Sequence, residues 1–111
     1  MNDYDLSICI PSKKNYLESK DSISSAIGFC ESTKSQLHIS DNSEDKDKEE
    51  VWSNLRLENL NYIKADKMTA TENWYNSVKD ADGKYIGICS DDDLLVNISK
   101  SEVEYFFISS A

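Results

Sequence analysis

The sequence predicts an α/β domain with a mostly parallel sheet covered by helices. Strand-like and helix-like segments alternate along the chain in the order β-α-β-α-β-α-β-α, which is typical of this fold class. In addition, the segments 69–72 and 99–102 have the Ser/Thr-x-x-Glu spacing of helix capping boxes. A chain of 111 residues is of the usual size for one domain, so we expect a single domain over residues 1–111.

The first half of the chain is predicted to contain three short strands. Strand one is the apolar run 6–10, which Pro11 closes because proline lacks the amide donor of a strand ladder. Apolar residues then recur at helical spacing over 16–30, which predicts the first helix. Strands two and three are predicted at 37–40 and 61–63.

Residues 41–58 are rich in charge. We expect 41–50 to form a solvated loop and the start of a helix that continues to Glu58. The apolar stripe of this helix would consist of Val51, Trp52 and Leu55.

The second half has clearer boundaries. A helix begins at the capping box 69–72 and continues with Trp74 and Val78 at four-residue spacing, so we expect Trp74 in the core. Residues 81–83 end the helix and strand four follows at 84–89. The second capping box opens a last helix that extends through Phe107.

Composition excludes several classes of protein. The net charge is −9, from 21 acidic and 12 basic residues, which argues against nucleic-acid binding and against a basic membrane-surface protein. We find no long apolar run and no leader, and therefore expect a cytoplasmic protein without a transmembrane segment. Three dispersed cysteines and the single His38 do not fit a zinc site, so we expect reduced, buried thiols and a packed histidine.

Acidic and polar residues follow three of the predicted strands. In an open α/β sheet, ligands bind beyond the carboxyl ends of the strands, where the strand order reverses. The segments 11–15, 41–43 and 90–93 would lie there. The successive carboxylates of Asp91, Asp92 and Asp93 repel one another, and a divalent cation with substrate phosphates would remove that cost. A solvated acidic turn is the alternative.

Four segments together resemble the N-terminal half of family 2 glycosyltransferases with the GT-A fold. They are Leu6–Asn15, His38–Ser43, Glu72–Asn76 and Gly83–Leu95, and the resemblance covers roughly residues 4–108. It implies a Rossmann-like half with four parallel strands in the order 3-2-1-4. It also implies the transfer of a sugar from a nucleoside diphosphate, a UDP-sugar in the first place, to a hydroxyl acceptor.

The resemblance assigns roles to individual residues. The nucleotide-binding residues would be Pro11 and Ser12 along the nucleotide, Asp41 on the base, Lys67 near the nucleotide and Asp91 on the ribose. Asp92, supported by Asp93, would hold Mn²⁺ or Mg²⁺. Asn73 and Asn76 are expected to be structural.

Members of this family are considerably longer than this chain. Their second half carries the acceptor site and the catalytic base, so we expect a donor-binding half with little turnover alone. The exposed edge of strand four would favour self-association. Two alternatives stay open: a metal-free binding domain without enzymatic activity, and a receiver-like signalling domain.

Overall fold

The computed structural model describes residues 4–91 and confirms the predicted α/β architecture. Within this range the elements are β1 (Leu6–Ser12), α1 (Tyr16–Thr33), β2 (Gln36–Asp41), α2 (Lys46–Ser53), β3 (Leu60–Lys64), α3 (Ala70–Val78) and β4 (Tyr85–Ile88). The four strands are parallel and lie in the order β3-β2-β1-β4. The Rossmann-like order 3-2-1-4 is thus confirmed, whereas the helix predicted from Ser99 lies outside the described residues.

One face of the sheet is apolar. Side chains alternate along a strand, and Ile8, Ile10 and Ile39 belong to a buried cluster with Ile23 of α1 and Trp52 of α2. This cluster is the hydrophobic core, and it fixes α1 and α2 on the same side of the sheet.

The opposite face of the sheet is small and polar. Ser40, the neighbour of Ile39 in β2, donates its hydroxyl hydrogen to Asn73 Oδ1 at 2.6 Å and accepts from Asn76 Nδ2 at 2.7 Å. Asn73 Nδ2 also donates to the Ser12 main-chain carbonyl at 3.3 Å. Asn73 and Asn76 therefore hold α3 on the sheet through hydrogen bonds, in agreement with the structural role expected for both.

Each helix begins with a side-chain cap. Asn15 accepts from the Glu18 amide at the start of α1, and Asp45 accepts from the first amides of α2. At α3 the predicted capping box is present, since Thr69 and Glu72 bond each other's backbone amides. Asp45 also accepts from the Tyr16 amide at 2.8 Å, which ties the start of α1 to the start of α2.

Three strands extend further than predicted. β1 runs through Pro11 to Ser12, β2 includes Asp41, and β3 covers 60–64 instead of 61–63. Cys9 accepts from Cys89 on the β4 side, so by alternation the nitrogen of Pro11 faces the same side, beyond the paired part of β4. The missing proline donor therefore costs no ladder bond.

The close packing of β4 on β1 depends on Gly83. A Cβ atom at this position would lie 2.5 Å from the backbone nitrogen of Ser7. The Gly83 amide donates to the Ser7 hydroxyl at 2.8 Å, which places the start of β4 beside β1.

Three predicted core positions are wrong. Trp74 is 47% exposed, because the face that α3 turns to the polar side of the sheet consists of Asn73, Asn76 and Ser77. Val51 of α2 is also exposed, and so is Leu55, which lies beyond the helix because α2 ends at Ser53 and not at Glu58 as predicted. The buried residues of α2 are Trp52 and, one turn earlier, Lys48. The prediction of Trp52 in the apolar stripe is confirmed, whereas the other three positions do not face the core.

The cysteines and the histidine lie largely where we expected them. In the described range Cys9 and Cys30 are buried and Cys89 is partly exposed, and none forms a disulfide. Burial raises the pKa of Cys9 to about 11 and that of Cys30 to about 12. His38 is buried in β2, where its Nδ1 lies 3.1 Å from Asn61 Nδ2.

No helix among residues 4–91 combines the length and the apolar character needed to cross a membrane.

Candidate functional site

The candidate site lies at the carboxyl ends of β1, β2 and β4. The chain builds the sheet outward from β1 to β3 and then places β4 on the other side of β1. The strand order therefore reverses between β1 and β4, which is the position where open α/β sheets bind ligands. Ser12 ends β1, Asp41 ends β2, and Asp91 follows β4 by three residues.

A fully buried lysine of α2 joins these strand ends. Lys48 Nζ donates to Ser12 Oγ at 2.5 Å and to the Lys14 carbonyl at 2.6 Å. It also lies 3.4 Å from Asp41 Oδ1, and neither side chain of this ion pair is exposed to solvent. Burial lowers the pKa of Lys48, while Asp41 and Asp91 oppose the shift. The Lys48 amine thus serves as a hydrogen-bond donor to the oxygens of Ser12 and Lys14.

Asp91 is held by the loop that follows β1. Its Oδ2 atom accepts from Ser12 Oγ at 2.9 Å and from the amides of Lys13 and Lys14 at 2.8 Å each. Asp91 is itself buried. The Ser12 hydroxyl thus accepts a hydrogen bond from Lys48 and donates one to Asp91. It therefore links α2 to Asp91.

Asp41 is fully buried beneath α2, and both of its carboxylate oxygens are engaged. Oδ1 accepts from the Ser43 amide at 2.9 Å and from the Ser43 hydroxyl at 2.6 Å, and Oδ2 accepts from the Tyr62 hydroxyl. Burial opposes ionisation of Asp41, but the hydrogen bonds and Lys48 outweigh it and lower its pKa. Burial, together with the bond to Asp41, raises the pKa of Tyr62.

A cavity of about 770 Å³ lies beyond the ends of β2 and β3. Its wall includes four lysines, at positions 13, 46, 64 and 67, and three acidic residues, at positions 44, 49 and 66. The Asn42 side chain exchanges two hydrogen bonds with the backbone of Met68, which closes the loop around the cavity. Lys67 has a φ of 50°, a left-handed conformation that is uncommon for residues other than glycine.

The structure brings together three of the predicted site residues. Ser12, Asp41 and Asp91 surround Lys48, and Pro11 precedes Ser12 in β1. Lys67 lines the cavity beyond β3 instead. The predicted metal ligands Asp92 and Asp93 lie outside the described residues.

Sequence reasoning missed Lys48 and Tyr62. Lys48 stands in the charge-rich segment that we expected to be solvated, although Asp41, Asn42, Ser43 and Lys48 in that segment are buried. One signal was available, because Lys48 precedes the buried Trp52 by four residues and so shares its helix face.

The donor set for a metal is incomplete in the described part of the chain. Among residues 4–91 no three or more His, Cys, Asp or Glu side chains form a group that could hold a metal ion. Asp91 is the one member of the acidic run in this range, and its Oδ2 atom already accepts three hydrogen bonds.

No protein-family profile, curated protein or solved structure matches this chain.

Proposed function

We propose that this chain binds a nucleoside diphosphate sugar, a UDP-sugar in the first place, as the donor-binding part of a glycosyltransferase similar to family 2. The proposal is supported chiefly by one observation. The strand order 3-2-1-4 reverses between β1 and β4, and three of the residues that the resemblance assigns to the nucleotide meet at that point. The chemistry would be transfer of the sugar to a hydroxyl.

The lining of the cavity beside the site has a slight excess of positive charge. Four lysines and three acidic residues line a space of about 770 Å³, within the range of small-molecule pockets, in a chain whose net charge is −9. Lysine ammonium groups bind phosphate as point charges. We assign Lys67 to this contact, and its strained backbone is in keeping with a functional position.

Recognition of the base by Asp41 requires a local rearrangement. The Tyr62 hydroxyl occupies Oδ2, the oxygen that is not bonded to Ser43. A base N–H has the same donor chemistry as this hydroxyl, so it would replace Tyr62 on Asp41. Pro11 and Ser12 would line the nucleotide from the β1 side.

The metal is the second part of the proposal. Carboxylate oxygens suit Mg²⁺ and Mn²⁺, and we assign the ligands to Asp92 and Asp93. A bound cation would offset negative charge on the leaving diphosphate. Asp91 would then keep its hydrogen bonds to the loop after β1 and would contact the ribose.

Calorimetry with UDP, with and without Mn²⁺, tests the proposal. We expect the wild type to bind UDP more tightly with Mn²⁺, because phosphate oxygens complete the metal's coordination shell. Asp92→Ala should lose this gain. Asp21→Ala, which removes an exposed acid from α1, should keep it. Equal binding by both variants would contradict the assignment of Asp92, and failure of the wild type to bind any nucleoside diphosphate would contradict the function.

A metal-free binding domain is the second candidate. It is favoured by the internal ion pair, since Asp41 already has the buried ammonium of Lys48 beside it. UDP binding of equal strength with Mn²⁺ and with a chelator would support this reading. The receiver-like alternative has the strand order 2-1-3-4-5, which differs from the order found here, and we do not pursue it.

Self-association through β4 is a further part of the proposal. Among residues 4–91, β4 pairs only with β1, and Tyr85, Ile86 and Ile88 are exposed. An exposed apolar edge strand can pair with a second chain. Size-exclusion chromatography with light scattering should show a dimer that Ile86→Lys converts to a monomer.

A further inference from the structure

The most unusual side chain in the described structure is Lys48. Lysine is almost never fully buried unless it is paired, and here the whole side chain is inaccessible to solvent. A buried charge carries a large desolvation cost, so its partners must account for its position.

The partners of Lys48 come from two separate parts of the chain. One is Asp41 at the end of β2, and the other comprises Ser12 at the end of β1 and the Lys14 carbonyl just after it. Lys48 therefore connects the ends of β1 and β2 from the side of α2.

We infer that Lys48 is the internal counter-ion of the candidate site, which balances the Asp41 carboxylate and fixes the loop 12–14 before any ligand arrives. It is a positioning residue, because it acts on Asp41 and Ser12 rather than on a ligand. Its relevance to nucleotide binding rests on the proposed function, but the charge pairing itself rests only on geometry.

The loop 12–14 shows what this positioning accomplishes. Once Lys48 holds Ser12 Oγ and the Lys14 carbonyl, the Ser12 hydroxyl and the amides of Lys13 and Lys14 point at one atom, Asp91 Oδ2. Without the ammonium, the oxygens of Ser12 and Lys14 lose their shared donor. The orientation of Asp91 therefore depends on Lys48 through Ser12.

Other charged and titratable groups surround Asp41 and Lys48. From β3, Tyr62 donates to Asp41, and Lys64 Nζ lies 3.4 Å from the Asp41 main-chain carbonyl. From α2, Asp45 acts on Lys48 and both Asp45 and Glu49 act on Tyr62. Of these cations Lys48 is the one paired with the Asp41 carboxylate.

Titration of the Asp41 carboxyl group by NMR, on the wild type in a chelator, is the first test. Against the opposing effect of burial, hydrogen bonds from Ser43 and Tyr62 lower the pKa of Asp41, and Lys48 lowers it in the same direction, so the pairing requires Asp41 to titrate below its ordinary value of 3.8. Titration at or above that value without divalent cations would overturn the inference. This measurement uses no variant and no nucleotide, so its result is independent of whether UDP binds.

Thermal unfolding of Lys48→Met is the second test, with Lys20→Met as the control. Both variants lose one positive charge, but Lys20 is exposed on α1. We expect Lys48→Met to lower Tm by more than about 10 °C at pH 7, because it leaves the Asp41 carboxylate buried and unpaired. The control should stay near the wild type, and equal Tm values for both variants would overturn the inference.

The pH dependence separates charge pairing from simple packing. In Lys48→Met the unpaired Asp41 carboxyl should take up a proton easily. The difference in Tm between this variant and the wild type should therefore narrow as the pH falls below about 5. A Tm difference that stays constant over pH would indicate a packing role and would overturn the inference.

A double variant is the last test. Asp41→Asn/Lys48→Met, which removes both charges, should be more stable than Lys48→Met alone. If Lys48→Met does not fold, the double variant and the Asp41 titration still decide. A double variant that also fails to fold, together with a wild-type Asp41 pKa at its ordinary value, would overturn the inference.

Discussion

At the scale of single residues, the site is governed by how buried polar groups are satisfied. The resemblance assigned roles to Ser12, Asp41 and Asp91, and all three belong to segments predicted at strand ends, which meet at one edge of a parallel sheet. Lys48 and Tyr62 could not be identified in this way. A lysine in a charge-rich helix and a tyrosine in a short strand normally face solvent or core, and only the fold reveals that both point at Asp41.

Replacement of Tyr62 tests whether Asp41 meets a ligand. Tyr62→Phe removes the hydroxyl that occupies Oδ2 of Asp41. If a base N–H replaces this hydroxyl on binding, the variant no longer has to break that bond, and UDP should bind about 2- to 10-fold more tightly. The variant itself should lose about 1 kcal/mol of stability, since Asp41 loses one donor.

Calorimetry and chemical denaturation measure both effects. Tyr75→Phe is the matched control, because Tyr75 lies exposed on α3. It should change neither quantity. Unchanged UDP affinity in Tyr62→Phe, beside a loss of stability, would mean that Asp41 serves the fold alone.

At the scale of the elements, sequence patterns identified where helices begin better than which face they bury. The capping box at Thr69 and Glu72 is a local pattern, and it was predicted correctly. The buried face depends on the surface that receives the helix. Because α3 packs on a polar sheet face, Asn73 and Asn76 are buried and Trp74 is exposed. Burial of the apolar residues of this helix would predict the reverse.

The two tryptophans should therefore differ in their contribution to stability. Trp52 is buried in the core cluster, where its ring lies 5.9 Å from that of Tyr16, whereas Trp74 is 47% exposed. We expect Trp52→Ala to cost about 3–5 kcal/mol and Trp74→Ala about 1 kcal/mol. Urea denaturation of both variants measures the difference. Equal losses would show that Trp74 packs more tightly than its exposure indicates.

The capping box makes a separate prediction for α3. Thr69 accepts from the Glu72 amide at 3.1 Å, and Glu72 accepts from the Thr69 amide at 2.9 Å. Thr69→Ala should lower the free energy of unfolding by about 1 kcal/mol, because the Glu72 amide in the first turn loses its side-chain acceptor. Thr71→Ala, an exposed position in the same turn, is the control and should have a much smaller effect.

At the scale of the whole molecule, the sheet separates an apolar layer from a polar one. The regular order of strand-like and helix-like segments made an α/β sheet predictable. In the structure, Ile8 and Ile10 of β1 both belong to the apolar layer. The polar residues between them were less informative. Their partners on α3 are more than 30 residues away in sequence, and no local pattern connects Ser40 with Asn76.

His38 lies on this polar side and makes the stability of the whole fold depend on pH. It is the single histidine of the chain. Burial lowers its pKa from 6.5, although Asp82 and Asp80 act in the opposite direction. Among the described groups, its Nε2 atom has no hydrogen-bond partner. The folded state therefore binds a proton at His38 less readily than the unfolded chain does.

The sign of this effect follows from linkage. Since the folded pKa of His38 lies below 6.5, stability is unaffected by this group at higher pH and falls as the pH drops through 6.5. The carboxylates act in a lower window. The pKa values of Asp41 and Glu72 lie below 3.8 and 4.5 in the folded state, so their contribution is present above those values and is lost in stronger acid.

Thermal unfolding between pH 8 and pH 3 should consequently show two declines. The Tm should be nearly constant above about pH 7, fall gradually between about pH 6.5 and 5, and fall again below about pH 4.5. His38→Gln cannot take up this proton, so it should remove the first decline and keep the second. A wild-type Tm that stays constant from pH 7 to pH 5 would mean that His38 is protonated as easily in the fold as in the unfolded chain. In that case a hydrogen-bond partner for the charged imidazole must lie within reach of Nε2. The polar layer would then stabilise a positive charge at His38.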